Sequence, residues 1–240
     1  GLAPKKILTP EYQGETTYAY HLDAGKFSKM LAENAQNKYG VKHLWANIQN
    51  AIQDDSGLIS HLKTDSEGFL PFDFYVDCSG FSSFLLGGAL GIPFIDKSHQ
   101  LLVDSALVVQ VPTAETDPIP PYTVATAHQA GWIWDIALTE RRGVGLVYSS
   151  SHLSDTAAEK KLDRYLGTSK GLSFRKIPMK VGYRERSWSK NCVAIGLAQG
   201  FVEPLEATAL ILTDFAARSL TERFPVTIDQ LAPLSERFNE

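Results

Sequence analysis

The sequence has few cysteines and no long apolar run. Among its 240 residues there are two cysteines, Cys78 and Cys192, and both lie in apolar, strand-like settings. We expect two buried free thiols in a reducing compartment, because a disulfide framework is typical of cysteine-rich secreted chains. No apolar run approaches the length needed to cross a bilayer, and no charged-then-apolar signal opens the chain. These absences predict a cytoplasmic protein without a membrane partner.

Short motifs for metals, phosphates and nucleophilic catalysis are also missing. The chain has no Cys-x-x-Cys pair and no His-Glu-x-x-His, so no metal site is predicted. It has no Gly-x-Ser-x-Gly, so an esterase-type triad lacks support. A P-loop and the dinucleotide fingerprint Gly-x-Gly-x-x-Gly are absent too, since the nearest match, at 87–91, has the wrong spacing.

The charge balance is mildly acidic. With 23 Lys and Arg against 27 Asp and Glu, the formal net charge is −4, which argues against nucleic acid or a membrane surface as a partner. Hydrophobic residues make up 44% of the chain and charged residues 21%, which is the composition of an ordinary globular protein. The length allows one large domain or two small ones.

Regular patterns divide the chain into helices and short strands. Apolar spacing predicts helices over 24–39, with Asp23 as N-cap and Gly40 after the last turn, and over 155–166. The segment 81–90 and the stretch from Val226 onward are also predicted to be helical. Strands are predicted at 41–53, 57–64, 74–77, 106–111, 122–129, 131–138, 143–148, 171–178, 180–188 and 192–195. This order favours a mixed α/β (α+β) fold with an antiparallel central part.

The stretch from Asn191 to Leu220 has the most informative pattern. A short apolar strand leads into a small-residue turn at 196–200, and helical spacing follows Pro204. Glu206 then lies in the first turn of a helix, where the free N–H groups suit an anion or a phosphate. The alternative is that Glu206 only complements the helix dipole.

Two further sites each allow two interpretations. Asp77 ends a predicted strand and precedes a small-residue turn, which fits a nucleotide site but also occurs without any ligand. Trp132 and Trp134 lie two apart on one strand and therefore share a face. They are either sheet-packing residues or a wall against a planar ligand. Arg184 to Arg186 are interpreted as a solvated face.

Several of these segments resemble one enzyme family. The run from Gly131 to Ile136, Gly-Trp-Ile-Trp-Asp-Ile, resembles the Trp-x-Trp-x-Ile-Pro motif of flavin-dependent halogenases, above all tryptophan halogenases, with Ala137 in place of the proline. The segments 20–24, 77–81 and 196–206 match other family segments in the family order. The tryptophan motif separates this family from flavin monooxygenases of the same fold.

The resemblance implies a fold and a chemistry. It implies an FAD-binding module of the flavin monooxygenase type with an inserted antiparallel sheet in the substrate region. Reduced FAD (FADH2), supplied by a separate flavin reductase, reacts with O2 to give a hydroperoxide that chloride or bromide attacks. The resulting hypohalous acid halogenates an aromatic substrate such as tryptophan or indole, as in antibiotic and other secondary metabolism. A homodimer is compatible with the resemblance.

The resemblance also assigns site residues. Glu206 corresponds to the catalytic glutamate, and the backbone amides of Thr208 and Ala209 correspond to the chloride site. Here Ala207-Thr208-Ala209 replaces the usual Ser-Thr-Gly, which removes a hydroxyl and adds a methyl group near the halide. The family motif residues Trp132, Trp134 and Ile136 line the region between flavin and substrate. The flavin contacts are assigned to Leu197 and Leu210, and Ile48 on the hairpin strand is assigned to the region near the adenosine end of FAD.

The resemblance further predicts how the chain is organised. Residues 1–97 are assigned to the FAD-binding module with a β-hairpin insertion, 98–190 to the antiparallel substrate region, 191–225 to the flavin- and halide-binding segment and 226–240 to a C-terminal helical region. The family's Gly-rich motif and catalytic lysine have no counterpart in this sequence. We therefore expect an internal part of a halogenase that is inactive alone. The alternatives are a flavin-dependent monooxygenase and a non-catalytic flavin-binding protein.

Overall fold

The computed structural model describes residues 6–10, 13, 19–167, 171–202, 205 and 208–240. Four α-helices lie in these ranges: α1 (Ala24–Tyr39), α2 (Asp155–Leu166), α3 (Thr208–Glu222) and α4 (Leu231–Asn239). The strands are β1 (Ile48–Gln53), β2 (Ile59–Thr64), β3 (Phe69–Leu70), β4 (Tyr75–Asp77), β5 (Phe94–Asp96), β6 (Ser105–Pro112), β7 (Val124–His128), β8 (Gly131–Ala137), β9 (Arg141–Tyr148), β10 (Arg175–Pro178), β11 (Gly182–Arg184), β12 (Trp188–Ser189), β13 (Cys192–Ala194) and β14 (Gly200–Phe201). Shorter helical turns are the 3-10 segments Gly80–Ser82, Gly196–Ala198 and Ile228–Gln230 and the π-helix Phe84–Ala89.

The chain forms two compact units, each built from two stretches of sequence. The first unit comprises Gly1–His43 and Ser105–Ile177, and the second comprises Leu44–Asp104 and Pro178–Glu240. The functional boundaries that the resemblance suggested, after residues 97, 190 and 225, stay a prediction.

The first unit is built on a five-stranded sheet in the order β10-β6-β9-β8-β7. The strands β6 to β9 pair antiparallel, as the sequence predicts. Because side chains alternate across a strand, one face of the sheet packs on α2. This core contains Leu107, Val109, Ile133, Val144, Leu146 and Tyr148 of the sheet and Ala158 and Leu162 of the helix.

Helix α1 belongs to the first unit but buries none of its residues. The Asp23 carboxylate caps it by accepting a hydrogen bond from the Lys26 N–H at 3.1 Å, and Gly40 ends it in a left-handed conformation with φ 66°. Asp23 also forms a 2.9 Å ion pair with Arg141. Helix α1 is therefore held by its cap and by polar contacts rather than by apolar packing.

The second unit contains three small sheets. Strands β1-β2-β3 form an antiparallel meander, β14-β11-β5 form a second antiparallel sheet, and β12-β13-β4 includes a parallel pair between β13 and β4. The buried side chain of Asn191 connects these elements. Its amide oxygen accepts a hydrogen bond from the Ile59 N–H at 2.9 Å, and its amide nitrogen donates to the carbonyls of Ile59 at 2.9 Å and Asp73 at 3.2 Å.

Two apolar clusters form the core of this unit. One gathers β1, β2, the π-helix and β13 around Tyr75 and Leu86. The other packs α3 and α4 against β12 and β13 around Trp188, whose ring lies 5.1 Å from Phe74 and 5.6 Å from Phe238 between centroids. The second cluster holds α3 beside the turn that precedes it in sequence, which positions the candidate site.

Most element types are confirmed, and several boundaries are wrong. Helices α1 and α2 begin and end at the predicted residues. Residues 41–47 are not a strand, the predicted strand 180–188 is two short strands, and 81–90 is a 3-10 turn followed by a π-helix. Helix α3 begins at Thr208 rather than directly after Pro204.

Two side-chain predictions are also wrong. Cys192 is buried as expected, but Cys78 is exposed, because it follows the last residue of β4 on the open side of the turn. Arg184 is not solvated: its guanidinium lies 5.4 Å from the centre of the Phe94 ring and donates to the Ile92 carbonyl at 3.0 Å. Glu185 and Arg186, by contrast, are exposed as predicted.

Candidate functional site

An apolar cavity of about 270 Å³ lies between the turn after β13 and helix α3. On the turn side Gly196, Gln199 and Phe201 line it, and on the helix side Ala209 and Phe215 do. Gly196 has φ 68°, a left-handed conformation that favours glycine, and a Cβ atom there would make an ordinary van der Waals contact of 3.5 Å with the Thr213 hydroxyl on α3. The small-residue turn and the helix therefore build one concave surface, as expected for a binding site.

Among the predicted site residues that the structure describes, Ala209 lines this cavity and Thr208 precedes it on the same helix. Thr208 and Ala209 occupy the first turn of α3 and are half-buried. The Thr213 hydroxyl donates to the Ala209 carbonyl at 2.7 Å, so that carbonyl is already satisfied. The N–H groups of a first helical turn have no partner within the helix, and they are the donors available to an anion here.

The other predicted residues of this segment lie close by. Leu197 is in the adjacent 3-10 turn with 39% of its surface exposed, and Leu210 is 73% exposed on α3. Glu206 and its neighbour Ala207 lie outside the described residues. The structure thus gathers Leu197, Thr208, Ala209 and Leu210 in one region and leaves the position of the Glu206 side chain open.

Ile48 lines a separate groove. It begins β1 with 42% of its surface exposed, and the groove beside it has a volume of about 440 Å³ and includes Val76, Cys78 and Ser79. This groove does not share a lining residue with the cavity beside α3. Ile48 therefore lines a different depression of the second unit from the one that Ala209 lines.

Asp77 lies at the groove, but its carboxylate is used by the protein itself. It is 1% exposed and accepts hydrogen bonds from the N–H and hydroxyl of Ser79 and from the N–H groups of Leu85 and Leu86, at 2.6–3.0 Å. The bonds from Leu85 and Leu86 satisfy N–H groups in the first turn of the π-helix, and those from Ser79 hold the turn before it. The geometry favours the ligand-free interpretation of this turn. Burial and the Asp77 charge also raise the pKa of the Cys192 thiol, so that thiol stays neutral.

The tryptophan motif lies on β8 in the first unit. Trp132, Trp134 and Ile136 are half-buried on the sheet face opposite α2, while Ile133 and Asp135 point to the α2 side. The two indole rings lie 5.9 Å apart between centroids, with an angle of 55° between their planes. The tryptophans therefore pack on the sheet without being part of its core.

Asp135 anchors the motif strand from the core side. Its buried carboxylate lies 3.4 Å from the Arg142 guanidinium on β9 and accepts a 3.1 Å hydrogen bond from the Tyr165 hydroxyl on α2. Burial, together with the Asp135 charge, raises the pKa of Tyr165, so the hydroxyl remains a donor at neutral pH. The strand that presents the tryptophans is thus tied to both a neighbouring strand and a helix.

Sequence patterns missed several lining residues. Phe215 and Phe238 line the α3 cavity, and Gly145 on β9 lies under Trp134. The available signal was the Gly-x-Gly run at 143–145, which suits a strand that a bulky neighbour approaches closely.

Among the described residues no group of three or more His, Cys, Asp or Glu side chains could hold a metal ion. None of the described helices has the length and apolar character required to cross a bilayer.

Comparisons with known proteins assign the family. The family model for tryptophan halogenase matches residues 2–240. The tryptophan 6-halogenase SttH of Streptomyces toxytricini is 42% identical over 226 residues, which cover 92% of this chain and 43% of SttH. The chain therefore spans less than half the length of this relative.

Solved structures agree with this assignment. The tryptophan halogenase of Shewanella frigidimarina NCIMB 400 is 42% identical with a TM-score of 0.92, over 100% of this chain and 46% of that one. BrvH, a flavin-dependent halogenase of Brevundimonas sp. BAL3, is 39% identical with a TM-score of 0.86, over 91% of this chain and 44% of that one. These likenesses confirm the predicted fold class. The chain belongs to the tryptophan halogenase family.

Proposed function

We propose that this chain forms the flavin- and halide-facing part of a flavin-dependent halogenase acting on tryptophan or a related indole. The observation that carries the proposal is the first turn of α3 at the rim of an apolar cavity, beside the small-residue turn at Gly196. N–H groups that have no partner within the helix, together with the positive end of its dipole, suit a halide, and an apolar cavity suits a ring system.

The residues at the cavity fit a flavin ring and a halide better than a whole dinucleotide. A volume of about 270 Å³ is at the small end of ligand pockets, which hold roughly 300–1,000 Å³. Leu197, next to Gly196, and Leu210, next to Ala209, would contact the ring system, and Ile48 would contact the adenosine end of FAD in its separate groove. Reduced FAD, once bound, would supply two of the four electrons that reduce O2, and the halide would supply the other two as it is oxidised.

The helix terminus would hold the halide. The N–H groups of Thr208 and Ala209 would donate to chloride or bromide, because N–H groups in the first turn of a helix have no partner within the helix. The Ala209 methyl group, where the family pattern has glycine, narrows this site. The Glu206 carboxylate would accept the proton that the aromatic ring loses on halogenation. We propose a separate flavin reductase as the source of reduced FAD.

A chimera tests the proposal. The part of this chain that aligns with SttH, 92% of its length, replaces the aligned segment of SttH, and the purified chimera receives FAD, a flavin reductase with NADH, chloride and tryptophan in air. We expect chlorotryptophan by mass spectrometry, with loss of product when chloride is omitted. A hydroxylated product that does not depend on halide would instead indicate a monooxygenase.

A matched pair of variants separates catalysis from scaffolding. In the chimera, Glu206→Gln removes the carboxylate and keeps the size of the side chain, and we expect a loss of about 10²-fold or more in kcat, in the range for a lost general base. Glu222→Gln, at the exposed end of α3, is the control and should retain activity. Equal activity of the two variants would contradict the assigned role of Glu206.

A further inference from the structure

The indole of Trp134 occupies the space that a side chain at position 145 would need. Strands β8 and β9 are antiparallel, with Trp134 directly opposite Gly145 and Trp132 opposite Val147. Directly opposed residues point to the same face of a sheet. A Cβ atom built on Gly145 would lie 2.0 Å from Cζ2 and 2.2 Å from Cη2 of Trp134, which is far inside van der Waals contact. The six-membered ring of the indole therefore lies across the backbone of β9.

Gly145 has a steric rather than a conformational role. Gly131, at the start of β8, has φ 153°, whereas the φ angle of Gly145 lies outside the region that disfavours L side chains. Gly143, on the same strand and the same face, provides a natural comparison: a Cβ atom there would meet only the Arg141 guanidinium, at 3.6 Å. Alanine is thus compatible with the backbone at both 143 and 145, and only at 145 does it collide with Trp134.

The flat orientation of Trp134 determines the shape of the exposed sheet face. With the ring lying over β9, its centroid is 5.9 Å from that of Trp132, and the fully buried Val147 lies opposite Trp132 on the same face. The two indoles then form a continuous, half-buried apolar surface. A Cβ atom at 145 would force the Trp134 ring away from β9 and into the space in front of the sheet, because the neighbouring positions on β8 are occupied by Trp132 and Ile136.

We infer that Gly145 is a positioning residue, whose missing side chain lets Trp134 lie flat and gives the tryptophan motif the shape of a wall for a planar aromatic substrate. The role of this wall in the reaction rests on the proposed function, whereas the orientation of Trp134 does not. The two parts are therefore tested separately.

Circular dichroism tests the orientation on the 240-residue chain. Two indoles at this distance and angle couple and give an exciton couplet in the far ultraviolet, which Trp132→Phe should abolish. We expect Gly145→Ala to reduce the couplet several-fold and Gly143→Ala to leave it unchanged. A couplet that is missing in the wild type or unchanged in Gly145→Ala overturns the inference.

A double variant covers the case in which Gly145→Ala fails to fold. If alanine at 145 acts only through its collision with Trp134, the combination with Trp134→Ala should recover the melting temperature of Trp134→Ala alone. Failure of the double variant to fold, when Trp134→Ala folds, overturns the inference. Recovery supports it.

Kinetics of the chimera test the wall. We expect Gly145→Ala to raise the KM for tryptophan several-fold with a smaller change in kcat, and Gly143→Ala to leave both unchanged. Unchanged kinetics together with a lost couplet would overturn the role of the wall in substrate binding, whereas the inferred orientation of Trp134 would stand. An inactive wild-type chimera would instead count against the proposed function, and the couplet would still decide the orientation.

Discussion

At the scale of single residues, a buried carboxylate organises the second unit. Asp77 is almost inaccessible to solvent and accepts four hydrogen bonds, from Ser79, Leu85 and Leu86. Removing such an acceptor leaves buried N–H groups without a partner, and each of these costs about 1–3 kcal/mol. The strand β4, the turn after it and the π-helix all depend on this one side chain.

We therefore predict that Asp77→Ala lowers the free energy of unfolding by roughly 3 kcal/mol or more. Asp77→Asn, which keeps one of the two acceptor oxygens, should have an intermediate effect. Urea unfolding followed by circular dichroism measures both, with Asp55→Ala in an exposed turn as the control. An Asp77→Ala variant as stable as the control would show that the carboxylate is not needed for folding.

At the scale of secondary-structure elements, α1 depends on polar contacts because it has no buried residue. The pKa of Asp23 is lowered, first by the hydrogen bond from the Lys26 N–H and then by the charge of Arg141. A group whose pKa is lowered on folding stabilises the fold above its ordinary value and loses this effect as the pH falls through the lowered value. The contribution of Asp23 should therefore be present at neutral pH and disappear in acid.

Asp23→Asn tests this dependence on pH. Asparagine is also a good N-cap, so the substitution removes mainly the charge that faces Arg141. We expect Asp23→Asn to lower the melting temperature at neutral pH. Wild type and variant should begin to converge below the ordinary pKa of an aspartate, near 3.8, and should converge fully below the lowered pKa of Asp23. Glu33→Gln, in the exposed pair with Lys29, is the control. A difference that persists in acid would contradict the role of the charge.

At the scale of the whole molecule, the 240-residue chain covers 43% of SttH and 46% of the Shewanella halogenase. The cavity beside α3 and the groove beside Ile48 share none of their described lining residues. The proposed reaction needs a flavin, a halide and an aromatic substrate held together, which requires more than these two depressions.

We predict that the 240-residue chain alone makes no halogenated product. The assay mixes it with FAD, a flavin reductase, NADH, chloride, oxygen and tryptophan, and mass spectrometry reports chlorotryptophan. The chimera with SttH, assayed in parallel, is the positive control. Robust product from the chain alone would contradict this prediction, whereas product from the chimera only would support it.

Local sequence determined the features that depend on neighbouring residues in the chain. Asp23 and Gly40 cap the two ends of α1, and Ser154 and Gly167 cap those of α2. Caps are local because they satisfy backbone groups within one turn of the helix end. The alternation of side chains along a strand is also local, and it placed Trp132 and Trp134 on one face. The motif that carries the resemblance to halogenases is likewise local, so the family followed from sequence.

Tertiary structure decided the features that depend on contacts between distant residues. Periodicity could not show that Asp77 caps a π-helix, that Arg184 covers the Phe94 ring, or that Cys78 is exposed. Nor could it pair Trp134 with Gly145, because the register of β8 against β9 places them together. A strand pattern specifies which residues share a face, but only the pairing of strands specifies which residues touch.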